Sequence, residues 1–411
     1  MSKAFFVILA AQFFSSLADN ALLFAAIELL KDLSAPDWQT PALQQFFVVS
    51  FIVLAPFVGT YADAMPKGKV MFISNAIKVA GCLAMLLGLH PLFAYGIVGI
   101  GAALYSPAKY GILTECMPAN RLVWANGWME GLTVTSVILG AIVGGLLVGE
   151  YFRQLMAGLL DTVPFNAGID TAPKLAVLII LLLYALAAAF NLFIPKLPIE
   201  HRLESRSLST LCVDFWHSFI VLWQDPLGHV SLAVTSLFWG VGTTLRFLIL
   251  SWAALAFNFS LEQATQLTAV VAVGLAIGSV IAAKYVPLQN AVKVLPLGVA
   301  MGAMIVCMSW VSDWRIALVV LVVIGILAGG FLIPMNALLQ HRGHQMMGSG
   351  HSIALQNFNE NVAILLLLGV YAILVELAVP VRTILVLFGL AVCFFMAWLT
   401  KKHLQDAVPA P

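Results

Sequence analysis

The stretch that decides the fold is Leu175–Leu186, which reads LAVLIILLLYAL and contains no charged residue. A strand of a transmembrane β-barrel alternates polar and apolar residues over about ten positions. This run does not alternate. A membrane-spanning helix needs about 20 mostly apolar residues, and residues 173–194 supply them around the quoted stretch. The stretch therefore predicts an α-helix that crosses a membrane.

Similar apolar runs follow one another along the whole chain. We count twelve, at residues 4–30, 42–62, 70–89, 92–114, 122–149, 173–194, 227–256, 263–284, 292–311, 315–339, 350–375 and 380–400. The predicted fold class is an all-α membrane protein with twelve transmembrane helices.

Composition excludes several other classes of protein. Of 411 residues, 62% are hydrophobic and 9% are charged, whereas soluble proteins have about 45–50% and about 25%. The charged residues are too few to cover a water-facing surface, so a soluble enzyme is excluded. The net charge of +1, without a basic tail, gives no sign of a nucleic-acid partner. The five cysteines are scattered without metal-binding spacing.

A polar break at 195–226 divides the chain into an N-terminal half of six spans, 1–194, and a C-terminal half of six spans, 227–411. Within the break, apolar residues recur at helical spacing and predict an amphipathic helix on the inner membrane surface; the alternative is the first turns of the seventh span. Basic residues favour cytoplasmic termini, because that orientation places twelve of them on the cytoplasmic side and five on the other.

Charged residues at membrane depth are the strongest functional signal. Each costs about 2.5–3.5 kcal/mol at the centre of a membrane helix and therefore needs a partner or a water-filled cavity. The candidates are Asp19, Lys109, Glu130, Arg246 and Glu360. We set Lys78 apart, because a long lysine side chain can extend to the membrane interface. The alternative is a set of ion pairs that only fixes helix packing.

Neighbouring residues support a functional interpretation at three of these positions. Asn20 follows Asp19, and Gln356 and Asn357 precede Glu360 within one apolar span. Pro107 lies just before Lys109 and removes one backbone hydrogen bond from its helix. In a membrane, freed polar groups are tolerated where they line a cavity. The predicted substrate-binding residues are Asp19, Asn20, Lys109, Arg246, Gln356, Asn357 and Glu360.

A second motif lies at the end of the second span. Gly59-Thr60-Tyr61-Ala62-Asp63 is followed by Lys67 and Lys69. This resembles the loop between spans two and three of the major facilitator superfamily, although its charged residues come later. Asp63, Lys67, Lys69 and Glu130 are the predicted coupling or gating residues, with both lysines expected at the membrane surface. The alternative is a turn with ordinary positive-inside charge.

Motifs of enzymes and metal sites are absent from the sequence. It has no GxxxxGK[ST] phosphate loop and no HExxH spacing, so we expect neither an ATP-driven pump nor an enzyme. His341, His344 and His351 are interpreted as part of a polar cytoplasmic loop rather than as a metal site. No cofactor is expected.

Several segments resemble the family of bacterial lysophospholipid transporters in the major facilitator superfamily. The most specific is Ser106-Pro107-Ala108-Lys109-Tyr110-Gly111-Ile112-Leu113; the others lie at 11–24, 236–247, 336–340 and 356–361. The resemblance spans essentially the whole chain, although the stretch 150–173 looks longer than the family pattern. It implies a major facilitator fold of two six-helix halves.

The resemblance also implies a function. Such a protein flips lyso-phosphatidylethanolamine and lyso-phosphatidylglycerol from the outer to the inner leaflet of the bacterial inner membrane, where a lysophospholipid acyltransferase–acyl carrier protein synthetase re-acylates them. Sodium is the implied coupling ion, and a monomer is expected. Our hypothesis is lateral access between the halves, with Asp19–Arg246 and Lys109–Glu360 exchanging partners. The alternatives are a proton-coupled antiporter of drugs or metabolites, using Asp19, Glu130 or Glu360, and a non-transporting membrane receptor or scaffold.

Overall fold

The computed structural model of the chain describes residues 3–36, 39–149, 152, 154, 171–195, 207–259 and 261–406. Within these ranges all regular structure is helical. The α-helices are α1 Lys3–Asp32, α2 Gln39–Ala64, α3 Lys67–Leu86, α4 Pro91–Cys116, α5 Leu122–Val148, α6 Ala172–Leu192, α7 Leu208–Gln224, α8 Pro226–Phe257, α9 Leu261–Tyr285, α10 Leu295–Met308, α11 Trp314–Met347, α12 Ser349–Glu376 and α13 Val381–Asp406. Two 3-10 helices, Ala119–Arg121 and Leu288–Val294, precede α5 and α10.

Twelve helices in the described part of the chain are long and apolar enough to cross a membrane. They correspond to the twelve predicted runs and confirm the all-α fold class. The longer stretch at 150–173 lies outside the described residues apart from positions 152, 154 and 171–173.

The interval between the two predicted halves contains α7, which begins at Leu208. Leu211, Phe215 and Leu222, which recur at helical spacing on one face of α7, are buried within the protein. Protein therefore covers this face, whereas Val213 and Trp216 are exposed. The charged part of the interval, 196–206, lies outside the described residues.

The polar segment between the tenth and eleventh spans was expected to be a loop, and this is wrong. His341 and His344 lie within α11, and His351 lies in the first turn of α12. Gly348 alone separates the two helices and has a φ of 94°. This backbone conformation is easily adopted by glycine because it has no Cβ, so a sharp turn replaces the loop.

Packing divides the chain into two compact units. The first contains residues 1–112, 132–215 and 348–354, and the second contains 113–131, 216–347 and 355–411. In the first unit α6 packs against α1 and α3, around apolar residues that include Leu22 and Ile180.

In the second unit α9 packs on α11 and α10 packs on α13. A Cβ added at Gly274 of α9 would lie 2.3 Å from the carbonyl oxygen of Val322, and one at Gly329 of α11 would lie 2.3 Å from that of Leu275. Small residues at such positions let membrane helices approach closely. This packing holds α11, which carries polar side chains of the candidate site.

Candidate functional site

Asp19 of α1 is held by two side chains from other helices of the first unit. Its Oδ2 accepts a hydrogen bond from Lys78 Nζ of α3 at 2.8 Å. Its Oδ1 accepts a hydrogen bond from the Tyr184 hydroxyl of α6 at 2.7 Å. The Asp19 side chain remains 22% exposed. The carboxylate is therefore fixed on both oxygens while one edge stays accessible.

Lys78 lies behind Asp19 and is completely enclosed, with 1% of its surface exposed. Its ammonium group also donates to Ser15 Oγ at 3.0 Å and lies 5.0 Å from the ring centre of Tyr105. Gly101 of α4 makes room for the lysine, since an added Cβ would lie 2.7 Å from Lys78 Cγ. The expectation that Lys78 extends to the interface is wrong, because its charge is satisfied inside the protein.

The sequence predicted Arg246 as the partner of Asp19, whereas within the first unit the Asp19 carboxylate pairs with Lys78. Sequence reasoning missed the role of Lys78. The available signal was Ser74 and Asn75, which precede it as polar residues of an apolar helix. Asn75 Oδ1 accepts a hydrogen bond from Ser15 at 2.8 Å and so completes the cluster.

The other candidate residues of the first unit are Asn20 of α1 and Lys109 of α4. Asn20 is half-buried, and its amide donates to the Ser16 carbonyl oxygen of its own helix at 2.8 Å. Lys109 is buried, and its ammonium lies 4.1 Å from the ring centre of Tyr110. An aromatic face attracts a cation, which compensates part of the burial of the lysine.

In the second unit, Gln356 of α12 connects two polar side chains. Its Nε2 donates to Asn336 Oδ1 of α11 at 2.9 Å and to Glu360 Oε1 at 2.7 Å. Glu360 is buried, and Asn357 is half-buried. Sequence reasoning identified the α12 cluster but missed Asn336, which lies on another helix.

Arg246 and Glu130 also belong to the second unit. Arg246 of α8 is exposed, and the structure shows no ion pair for it among the described residues. Glu130 of α5 is buried. The Arg246 side chain is therefore exposed, whereas Glu130 is enclosed by protein.

Asp63, the predicted gating residue, contacts the start of α12 within the first unit. Its carboxylate accepts hydrogen bonds from the backbone N–H groups of Gly350 at 2.7 Å and His351 at 3.0 Å. It also pairs with Lys67 Nζ at 2.7 Å. The first N–H groups of a helix have no partner within the helix and attract negative charge. Asp63 therefore caps α12.

This contact requires glycine on both sides. A Cβ added at Gly350 would lie 2.7 Å from Asp63 Oδ1, and one at Gly59 would lie 2.8 Å from His351 Cα. Lys67 is buried rather than exposed at the membrane surface, which corrects that expectation; the charge of Asp63 holds it inside. Lys69 is exposed.

Two further polar contacts belong to the second unit and were missed from the sequence. Asn126 of α5 and Gln340 of α11 exchange two amide hydrogen bonds of 2.8 Å. Asp225, which precedes α8, pairs with Arg342 and accepts the Gly228 N–H. Partial burial of the Asp225 carboxyl opposes its ionisation, but the hydrogen bonds from Arg342 and Gly228 hold its pKa below the ordinary value.

Comparison with known proteins identifies the family. Residues 8–367 match the Major Facilitator Superfamily model. The Lysophospholipid transporter LplT of Yersinia enterocolitica is 41% identical over 93% of this chain and 89% of its own length. The protein of that name from Yersinia pestis (strain Pestoides F) is 43% identical over the same shares.

Solved structures share the fold at low sequence identity. The human organic anion transporter TETRAN matches with a TM-score of 0.74 and 13% identity, over 97% of this chain and 100% of its own. A bacterial homologue of the iron transporter ferroportin matches with a TM-score of 0.71 and 15% identity, over 98% and 100%. The two Yersinia relatives are named transporters, in agreement with the prediction that the protein is not an enzyme. The chain belongs to the LplT family of the major facilitator superfamily.

Proposed function

We propose that this transporter flips lysophospholipids from the outer to the inner leaflet of the bacterial inner membrane by alternating access. The observation that carries the proposal is the 41–43% identity, over 93% of the chain, to relatives named lysophospholipid transporters. Both termini would be cytoplasmic, and the protein would act as a monomer. The flipped product would be the substrate of a lysophospholipid acyltransferase–acyl carrier protein synthetase.

The chemistry of the candidate residues suits a lysophospholipid head. A phosphate is matched by the cations Arg246 and Lys109 through charge-assisted hydrogen bonds. An ethanolamine ammonium is matched by Glu360, with Asn357 beside it as a further polar group. Lys78 balances the charge of Asp19. A carboxylate has more acceptor sites than the two hydrogen bonds that Asp19 receives, so Asp19 can also accept a hydrogen bond from the ammonium of the head group.

Alternating access supplies a role for the Asp63 contact. Asp63 belongs to the N-terminal six spans and Gly350 to the C-terminal six, so opening the cytoplasmic end would separate them. Sodium is the proposed coupling ion, and Glu130 the proposed coupling residue. The single acyl chain would stay in lipid while the head crosses, which is the reason we propose lateral access.

Uptake of labelled lyso-phosphatidylethanolamine into proteoliposomes tests this function. We expect an inward sodium gradient to accelerate uptake and Arg246→Ala to reduce it about tenfold, which corresponds to about 1.4 kcal/mol of lost interaction with the phosphate. Arg382→Ala is the matched control, because Arg382 lies near the Trp310 ring and away from the candidate residues in sequence.

Equal uptake by both arginine variants and by the unaltered protein would contradict the proposed phosphate site. Uptake that follows a pH gradient and ignores sodium would favour the proton-coupled alternative. Absence of lysophospholipid uptake by the unaltered protein would overturn the proposed function itself.

A further inference from the structure

One buried lysine of the first unit, Lys78, is not among the predicted binding or coupling residues. Lys78 is 1% exposed, and its ammonium is satisfied by Asp19 at 2.8 Å and Ser15 at 3.0 Å. The Asp19 carboxylate, by contrast, keeps 22% of its side chain exposed. The pair is therefore asymmetric: the lysine cannot reach a substrate, whereas the carboxylate in front of it can.

An isolated carboxylate is costly at this depth. In a medium of low dielectric constant a carboxyl group without a cation beside it binds a proton rather than staying charged. The Lys78 ammonium supplies the opposite charge at hydrogen-bond distance. The Tyr184 hydroxyl donates a second hydrogen bond to the carboxylate.

Among the residues that the structure describes, Lys78 is the only ion-pair partner of Asp19. The titratable residues that interact with Asp19 from the neighbouring helices, besides Lys78, are uncharged: Cys82 of α3, Tyr95 and Tyr105 of α4, and Tyr184 of α6. The segment 132–148 of α5 contains no ionisable residue, and the ionisable residues of α2, Tyr61 and Asp63, lie in its last turn. The ammonium of Lys109 lies over Tyr110.

We propose that Lys78 is a positioning residue: its enclosed ammonium balances the charge of the Asp19 carboxylate and holds that carboxylate in place on the transport path. The inference rests on the proposed function in placing Asp19 on the path.

Lys78→Met tests the inference, because methionine keeps much of the side-chain length and removes the charge. At about pH 8 we expect lysophospholipid uptake by this variant to fall about tenfold or more relative to the unaltered protein. At about pH 5.5 we expect much of the loss to be recovered, because Asp19 then binds a proton. Expressing uptake as a ratio to the unaltered protein removes any pH dependence that arises elsewhere.

Thermal unfolding in detergent supplies a readout that needs no substrate. We expect Lys78→Met to unfold at a lower temperature than the unaltered protein at alkaline pH and to approach it at acidic pH, since protonation removes the unpaired charge. The double variant Asp19→Asn/Lys78→Met should lose this pH dependence. Lys31→Met is the control, because Lys31 forms a pair of 2.7 Å with Glu28 but is 65% exposed.

Each result decides the question. The same ratio for Lys78→Met at both pH values, or an equal pH dependence in the double variant, would overturn the inference. If Lys78→Met does not fold at either pH, recovery of folding in the double variant supports an unpaired charge as the cause, and failure of both variants overturns it. Lack of lysophospholipid uptake by the unaltered protein would refute the proposed function and leave the unfolding test intact.

Discussion

Two buried Asp–Lys pairs of the first unit have nearly equal lengths and different surroundings. Asp19 and Lys78 lie 2.8 Å apart, and Asp63 and Lys67 lie 2.7 Å apart. The remaining partner of Asp19 is Tyr184, which belongs to the same sequence half. The remaining partners of Asp63 are the backbone N–H groups of Gly350 and His351, the His351 ring and the Ser349 hydroxyl, all of which belong to the other half.

The difference separates a permanent pair from one that movement can break. Motion of one sequence half against the other leaves every partner of Asp19 in place. The same motion removes the N–H groups from Asp63 and leaves it with Lys67. A buried Asp–Lys pair alone therefore does not indicate gating. Gating is indicated when a further partner of the aspartate, as for Asp63, comes from the other sequence half.

Breaking the Asp19–Lys78 pair should have the largest effect on stability and uptake. Asp19→Ala leaves the Lys78 ammonium buried and unpaired, and removing one partner of a buried pair costs about 3–5 kcal/mol. We expect a lower temperature of thermal unfolding in detergent and loss of uptake. Glu28→Ala is the control, because the Lys31 side chain opposite it is exposed. Unfolding of Asp19→Ala at the temperature of the control would show that the buried pair contributes nothing.

The twelve spans followed from the sequence because hydropathy depends on composition alone. The partner of Asp19 did not, because sequence does not show which face α3 turns towards α1. Gly101 makes this contact possible, and its closeness to Lys78 is a property of packing. Lys67 was expected at the surface for a similar reason: positive-inside statistics describe the chain near a membrane and carry no information on a carboxylate four residues away.

The contact between Asp63 and the start of α12 can be weakened by a substitution in α12. Gly350→Ala places a Cβ 2.7 Å from Asp63 Oδ1 and from the Gly59 carbonyl oxygen, and such overpacking costs about 1–3 kcal/mol. We expect the capping contact to open more often, measured as faster labelling of a cysteine introduced at Thr60. Gly369→Ala is the matched control, because Gly369 lies on the same helix with nothing within 4 Å of an added Cβ.

For Gly369→Ala we expect unchanged labelling and equal or slightly higher stability, since alanine favours a helix more than glycine does. Equal labelling rates in Gly350→Ala and this control would show that Asp63 does not hold the cytoplasmic end closed.

A third acidic residue, Asp225, should give the smallest effect. Its partner Arg342 has a side chain that is 32% exposed, and partly solvated pairs contribute about 0.2–1 kcal/mol. Because the pKa of Asp225 is lowered in the folded protein, its stabilisation is present above the ordinary pKa of the carboxyl group and is lost as the pH falls through the lowered value. Asp225→Asn should therefore lower the unfolding temperature slightly at neutral pH and by less in acid. An Asp225→Asn effect as large as that of Asp19→Ala would contradict the view that burial, rather than the presence of an ion pair, sets the size of these contributions.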